Sequence, residues 1–312
     1  MTNSETRRWF DLQVNGSNGL DFNSDDWSFA KADVVARQWI SSGCEGLLPT
    51  VITDDVSAMS RRVARIRDWY RRSEVAVRCV AGIHVEGPFI SEKAGYVGAH
   101  PVRWTCDADK GKIDQILAAG DGMVRLWTLA PERDPKDMAV RRLCDAGVVV
   151  SAGHTEAEFS DLDRAIEAGL TMFTHLGNGC PSLLPRHDNV ISRVLSRADR
   201  LTISLIADGH HIPWFALREY IELIPNSNLV IVSDSMQAAG LPAGRYLLGG
   251  QTVIVDEDRS AWSEDRKHFA GSATTLDSMM QLLSQQRIAN EHDIDRWCCL
   301  NPKRVLGVPS ED

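Results

Sequence analysis

The sequence predicts an α/β protein built as a TIM-type (β/α)8 barrel. Three observations carry this. Eight short apolar runs, each of a length suited to a buried strand, alternate with longer amphipathic segments. The 312 residues exceed the roughly 250 that such a barrel requires. Nearly every apolar run also ends in a side chain able to do chemistry, as expected where the carboxyl ends of parallel strands converge on one face.

The apolar runs lie at 9–14, 46–49, 80–85, 124–129, 148–151, 171–174, 202–206 and 229–233. Continuous rather than alternating apolarity suits parallel strands covered on both faces. Between them, Val56, Met59, Val63, Ile66 and Tyr70 recur at steps of three and four, one face of a helix. Ala139, Leu143 and Ala146 repeat the pattern before Gly147. Phe159, Leu162, Ala165 and Ile166 do so before Gly169, and each glycine offers a helix stop. A β-rich stretch within 246–270 predicts a hairpin insertion, followed by helices over 275–284 and 294–306. An open doubly wound sheet is the alternative arrangement. Its nucleotide-binding version is disfavoured, because no G-x-G-x-x-G follows the first run.

The formal charge is −9, from 34 Lys and Arg against 43 Asp and Glu. Without a clustered basic surface, nucleic acid is excluded as a partner. The Arg-rich stretch 61–72 reads as the solvent face of a helix. Seven scattered cysteines with no C-x-x-C pair speak against a disulfide framework and a zinc ribbon. The opening MTNSETRRWF has no apolar targeting core, and no apolar run nears the length of a membrane span. A cytoplasmic protein with no membrane partner is expected.

The polar residues at the run ends are Gln13 and Asn15, His84 and Glu86, His154, His175 and Asn178, Asp208, His210 and His211, and Asp234. Each alone has an ordinary structural explanation: a hydrogen-bonded core histidine, or an Asp capping the next helix. Together they concentrate five of the nine histidines beside three carboxylates. Two neutral imidazoles and one carboxylate are a common ligand set for a catalytic metal that keeps one position open for water. A carboxylate nearby can take that water's proton and pass it on.

These motifs resemble the N-acetylglucosamine-6-phosphate deacetylase family of the amidohydrolase superfamily. The matching stretches are DLQVNGSNGLDFN, GLLPTVIT, GIHVEGPFISEKAGYVGAHP, SAGHTEAEFSDLDRAIEAGLTMFTHLGNGCP, IADGHHI, IVSDSMQAAG, FAGSATT and NPKRVLGV, in the family's order. The resemblance implies a metal-dependent barrel hydrolase that removes the acetyl group from an N-acetylated amino sugar phosphate. It implies Glu86, His154 and His175 as ligands of one divalent metal. Zinc is expected, and iron, cobalt and manganese suit the same ligands. It implies Asp234 as general acid/base, returning a proton to the leaving amine, and His211 as the residue that polarises the acetyl carbonyl. His100, Asn178, Gly179 and His211 are implied as substrate contacts. Arg186 is implied to reach the sugar phosphate in a neighbouring subunit, hence a homodimer. Gln13 and Asn15 stand where some superfamily members carry a H-x-H pair for a second metal, so one metal is expected.

Members of that family carry extensions at both ends that pair into a small β-sandwich. This chain starts at its first strand and stops at Asp312, so a single barrel domain over 1–312 without the sandwich is expected. Gly177 and Cys180 replace an aromatic residue and a methionine common in relatives, and the KAGYVGAHP loop is slightly longer than usual. Two other functions stay open: hydrolysis of a different amide or cyclic amide, and a non-catalytic sugar-binding barrel. An anion-binding Arg186 has no use on a neutral substrate, and a binder needs no proton shuttle at Asp234.

Overall fold

A computed structural model describes residues 7–309; the domain limits expected at residues 1 and 312 lie outside the described residues. Eight parallel strands form one sheet in strictly sequential order: β1 (Trp9–Val14), β2 (Cys44–Ile52), β3 (Ile83–Glu86), β4 (Val124–Leu129), β5 (Val149–Ala152), β6 (Met172–Phe173), β7 (Thr202–Ile206) and β8 (Leu229–Val232). Pairings such as Thr50 with His84, Leu126 with Val149 and Ile231 with Leu205 run round the sheet. Each strand is joined to the next by helical or coil connections that cover its outer face. Leu12, Leu47, Val85, Trp127, Val150, Leu205 and Ile231 are therefore all buried.

The barrel closes between β1 and β8. Val14 bridges Ser235 in parallel, and the backbone N–H groups of Asn15 and Gly16 donate to the Ser235 carbonyl at 2.8 and 3.1 Å. Deeper in this seam the buried Asp11 carboxyl accepts the backbone N–H groups of Gln13 (3.1 Å) and Ser233 (3.2 Å). Burial pushes the Asp11 pKa up to about 7, against the pull of the bonds from Ser233 and Gln13. A carboxyl whose folded pKa is raised keeps its full stabilising contribution only below the unfolded value near 4. It loses that contribution as pH rises through the folded value. At about 1.4 kcal/mol per pKa unit this is a cost of order a few kcal/mol by neutrality. Asp11→Asn cannot ionise, so its melting temperature is expected to fall less than the parent's between pH 5 and 8. Parallel melting curves for the two proteins would refute this.

The helices start where the sequence supplies caps. Ser28 caps Phe29–Ser41, Asp55 caps Val56–Arg72 and Asn189 caps Val190–Leu195, each side chain accepting a backbone N–H of the first turn, a contribution of about 1 kcal/mol apiece. Phe159–Ala168 stops at Gly169, at φ 119°. No helix among the described residues is long and apolar enough to cross a membrane.

Two segments depart from the barrel rhythm. The stretch expected as a hairpin is a three-stranded antiparallel sheet: β9 (Gly244–Leu248), β10 (Gln251–Val255) and β11 (Ala261–Ser263). A separate small core of Ile52, Met236, Leu248, Val253, Val255 and Ala261 seats it on the carboxyl-end mouth of the barrel. The last helical region has three parts, Glu291–Asp295, a π-helical turn over Arg296–Leu300, and Asn301–Val305.

Candidate active site

The carboxyl ends of the strands open into a cavity of about 480 Å³. Glu86, the last residue of β3, is 2% exposed. His154, His175 and Asp234 each lie two residues beyond a strand end, of β5, β6 and β8 respectively. All three adopt left-handed backbone, with φ of 50°, 37° and 47°. Such conformations cost about 1–3 kcal/mol each and persist only where the surroundings hold them. Here they are held: the His154 carbonyl accepts Ser91 N–H (2.9 Å), the His175 carbonyl accepts Asn178 N–H (2.9 Å) and the Asp234 carbonyl accepts Ser272 N–H (2.8 Å). The reversed backbone turns the three side chains back toward the barrel axis.

There Glu86 meets both imidazoles. His175 Nε2 is 3.0 Å and His154 Nε2 3.4 Å from the same Glu86 Oε1. The ligating atoms of the three residues lie within 4.8 Å of one another. His154 Nδ1 donates to the Tyr96 carbonyl at 2.9 Å, which leaves the Nε2 lone pair facing the carboxylate. Fixing a ligand's tautomer through its outer nitrogen is how proteins orient metal-binding histidines. Its ring is also cradled tightly: a Cβ at Gly179 (φ 61°) would come within 2.8 Å of His154 Nδ1. Burial alone would raise the Glu86 carboxyl, but the two imidazoles beside it, His154 and His175, hold it well below the usual carboxylate range. A buried carboxylate facing two inward nitrogens fits a divalent cation, with an N₂O donor set suited to a catalytic site.

Asp234 faces this trio. Its Oδ1 accepts Asn15 Nδ2 at 2.7 Å and Gln13 Nε2 at 3.0 Å, and the same Gln13 amide donates to Glu86 Oε1 at 3.0 Å. Burial and the nearby Glu86 charge push the Asp234 pKa up to about 6, with His175 and His211 opposing. A carboxyl poised near neutrality can both accept and return a proton. Gln13 on β1 and Asn15 just past its end both donate to this one carboxyl oxygen.

His211 is 2.7 Å through Nδ1 from Asp208 Oδ2, while Asp208 Oδ1 accepts the backbone N–H groups of His210 and His211 at 2.9 Å each. Ser272 Oγ donates to the same carboxylate at 3.1 Å. Burial would lower the His211 pKa, yet Asp208 raises it above the ordinary value. His100 accepts Thr53 N–H at Nδ1 (3.4 Å), which places its proton on Nε2, 3.2 Å from His154 Nε2. Burial pushes His100 down to about 3, so it enters the cavity as a neutral donor.

The cavity thus gathers Glu86, His154, His175, Asp234, His211, His100, Asn178 and Gly179. The Asn178 amide nitrogen is buried without a protein partner. Arg186 is not among the residues lining the cavity; it sits exposed on the segment beyond Gly179. Two strand-end histidines lie elsewhere. His84 bonds Thr128 Oγ1 at 2.8 Å inside the barrel, one layer below Glu86, and burial lowers it to about 4. His210 points to the Asp258 carbonyl at 2.8 Å. The positioning roles of Gln13, Asn15 and Asp208 and the cavity contributions of Trp262, Lys267, His268 and Phe269 are additions that strand-end reasoning did not assign. The in-facing i, i+2 spacing of Gln13 and Asn15 is the signal that bears on the first.

No protein-family model matches the chain. Among curated proteins it is 31% identical over 300 residues to N-acetylglucosamine-6-phosphate deacetylase of Bacillus subtilis, covering 96% of this chain and 74% of that protein. It is 28% identical over 303 residues to N-acetylgalactosamine-6-phosphate deacetylase of Escherichia coli O157:H7, covering 96% and 77%. Among solved structures it superimposes on a mutant N-acetyl-D-glucosamine-6-phosphate deacetylase from Mycobacterium smegmatis in complex with N-acetyl-D-glucosamine-6-phosphate. The TM-score is 0.86 at 30% identity, over 98% of this chain and 78% of that one.

Proposed function

Because this chain belongs to the N-acetylglucosamine-6-phosphate deacetylase family, we propose that it hydrolyses the acetamide of an N-acetylated amino sugar phosphate through the residues gathered at the barrel mouth. The observation that carries the reading is the Glu86, His154 and His175 cluster facing Asp234 across one cavity.

Glu86, His154 and His175 would hold one divalent metal. When bound, such an ion polarises a carbonyl and lowers the pKa of a water molecule to about 7. Asp234, with its raised pKa and its Oδ1 pinned by Gln13 and Asn15, takes the proton of the attacking water and returns it to the departing amine. His211 polarises the acetyl oxygen as an Nε2–H donor. Since Nδ1 is committed to Asp208, this requires the imidazolium, which the Asp208 carboxylate favours. The neutral His100 offers a second Nε2–H, and the unpartnered Asn178 amide a third donor, to the substrate.

Zinc is the proposed metal, since two imidazoles and a carboxylate with an open position are a common zinc site; iron, cobalt and manganese suit the same set. A single barrel unit over 1–312 is proposed, supported by one continuous eight-stranded sheet with the small three-stranded sheet seated on its mouth. The seven free cysteines support a cytoplasmic location. A homodimer is proposed from Arg186, which stands exposed outside its own cavity with Leu183 beside it 92% exposed.

The test is an assay of purified protein on N-acetylglucosamine-6-phosphate and N-acetylgalactosamine-6-phosphate and on their unphosphorylated forms, before and after chelation, with sedimentation at the assay concentration. Release of acetate from a 6-phosphate, lost on chelation and restored by metal, is expected. Turnover that survives removal of all metal, or no turnover of either phosphate, would overturn the reading. An active monomer would overturn the shared site.

A further inference from the structure

We propose that Lys267 and His268 form an anion subsite of this cavity, supplied by the same chain that holds the metal ligands, and that they recognise the phosphate end of the substrate. The substrate class rests on the function proposed above. Beyond β11 the chain turns back over the barrel mouth, and Lys267, His268 and Phe269 line the cavity alongside Glu86 and Asp234. The turn is a built structure. Ser263 N–H donates to the His268 carbonyl at 2.9 Å. Ser263 Oγ accepts the N–H groups of Lys267 (3.2 Å) and His268 (3.3 Å) and donates to Asp265 at 2.8 Å. Phe269 is clasped between the rings of Trp262 at 4.2 Å and His211 at 4.9 Å. The two side chains preceding it are therefore delivered to a fixed place.

Two features of that place point to an anion. His268 Nε2 is a buried atom with no protein partner, and a buried polar nitrogen is costly unless something bonds to it. Among the described residues lining the cavity, Lys267 is the one permanent cation, in a space whose centre carries Glu86 and Asp234. A lysine placed only for solubility has no reason to face such a cavity. Its single protein partner is Asp265 at 3.3 Å, with side chains 78% and 52% exposed, and exposed pairs of this kind are weak. The ammonium can leave it for a phosphate dianion, which accepts charge-assisted bonds from Lys and His together.

The experiment compares the metal-loaded parent with Lys267→Met, Lys267→Arg and His268→Leu. Calorimetry measures binding of glucose-6-phosphate, which has no acetamide to hydrolyse, and kinetics gives kcat/KM for N-acetylglucosamine with and without the 6-phosphate. Lys267→Met and His268→Leu are each expected to weaken glucose-6-phosphate about 10- to 100-fold, the range of a lost hydrogen bond to a charged group. The preference for the phosphorylated substrate should shrink by a similar factor, mainly through KM, and Lys267→Arg should retain most of both. Unchanged glucose-6-phosphate affinity and unchanged preference in Lys267→Met would overturn the subsite while leaving the deacetylase reading intact. If the parent hydrolyses no amino sugar phosphate, the function fails, and the calorimetric arm still decides the subsite.

Discussion

Asp234→Asn is expected to lower kcat by roughly 10²–10⁴ while metal content and melting temperature stay near the parent's. Asn is almost isosteric with Asp, and its amide oxygen can accept the bonds that Gln13 and Asn15 now give to Oδ1. Removing a buried negative charge beside Glu86 also relieves the repulsion that raises this carboxyl. What the amide lacks is the ability to take and return a proton. The competing explanation, a helix cap, loses its basis in the fold. The carboxylate accepts side-chain amides from β1 rather than backbone N–H groups, and the next helix after it begins only at Leu276. The measurement is kcat, metal stoichiometry and melting temperature on one preparation. Turnover near the parent's would remove Asp234 as the shuttle and make His211 the next candidate.

The second large effect is expected from His154→Ala. Three residues converge on the candidate metal position, and His154 is the one whose outer nitrogen is locked, by the Tyr96 carbonyl. Losing even an outer partner of a metal ligand costs about 10- to 100-fold, so losing the ligand itself should cost more than about 100-fold in kcat/KM. Elemental analysis should find the metal largely gone after dialysis. His84 supplies the contrast. It lies on the same strand as Glu86 and equally buried, but it bonds Thr128 and not the ligand cluster. His84→Gln should therefore keep its metal whatever it costs in stability. Full metal in His154→Ala, or loss confined to His84→Gln, would reverse the assignment.

Much of this was legible in the residues themselves. The runs at 9–14, 124–129 and 202–206 coincide with β1, β4 and β7, because an apolar run buried on both faces has few conformations open to it. The helix read from Val56 to Tyr70 is Val56–Arg72, since a 3.6-residue period has one solution. The convergence of parallel strand ends at one face places Glu86, His154, His175 and Asp234 on a common rim from the sequence alone. Less was legible where short segments meet. β6 is only Met172–Phe173, and β11 joined the expected hairpin as a third strand through partners that local pattern does not reveal.

The sequence by itself therefore determined the class of fold, the strand ends that carry chemistry and the donor types available for a metal. The periodicity of side chains and the fixed polarity of parallel strands are local properties. Tertiary structure alone decided which of those side chains meet. Glu86 and His84 share a face of β3, yet only Glu86 stands at the height of the mouth, because barrel interiors stack in layers whose level depends on the register with neighbouring strands. Gln13 reaches Asp234 across 221 residues of sequence because β1 closes against the end of β8. His154, His175 and Asp234 point inward because surrounding hydrogen bonds hold a left-handed backbone that no local preference would select. Lys267 and His268 enter the cavity only because the small sheet folds over its rim.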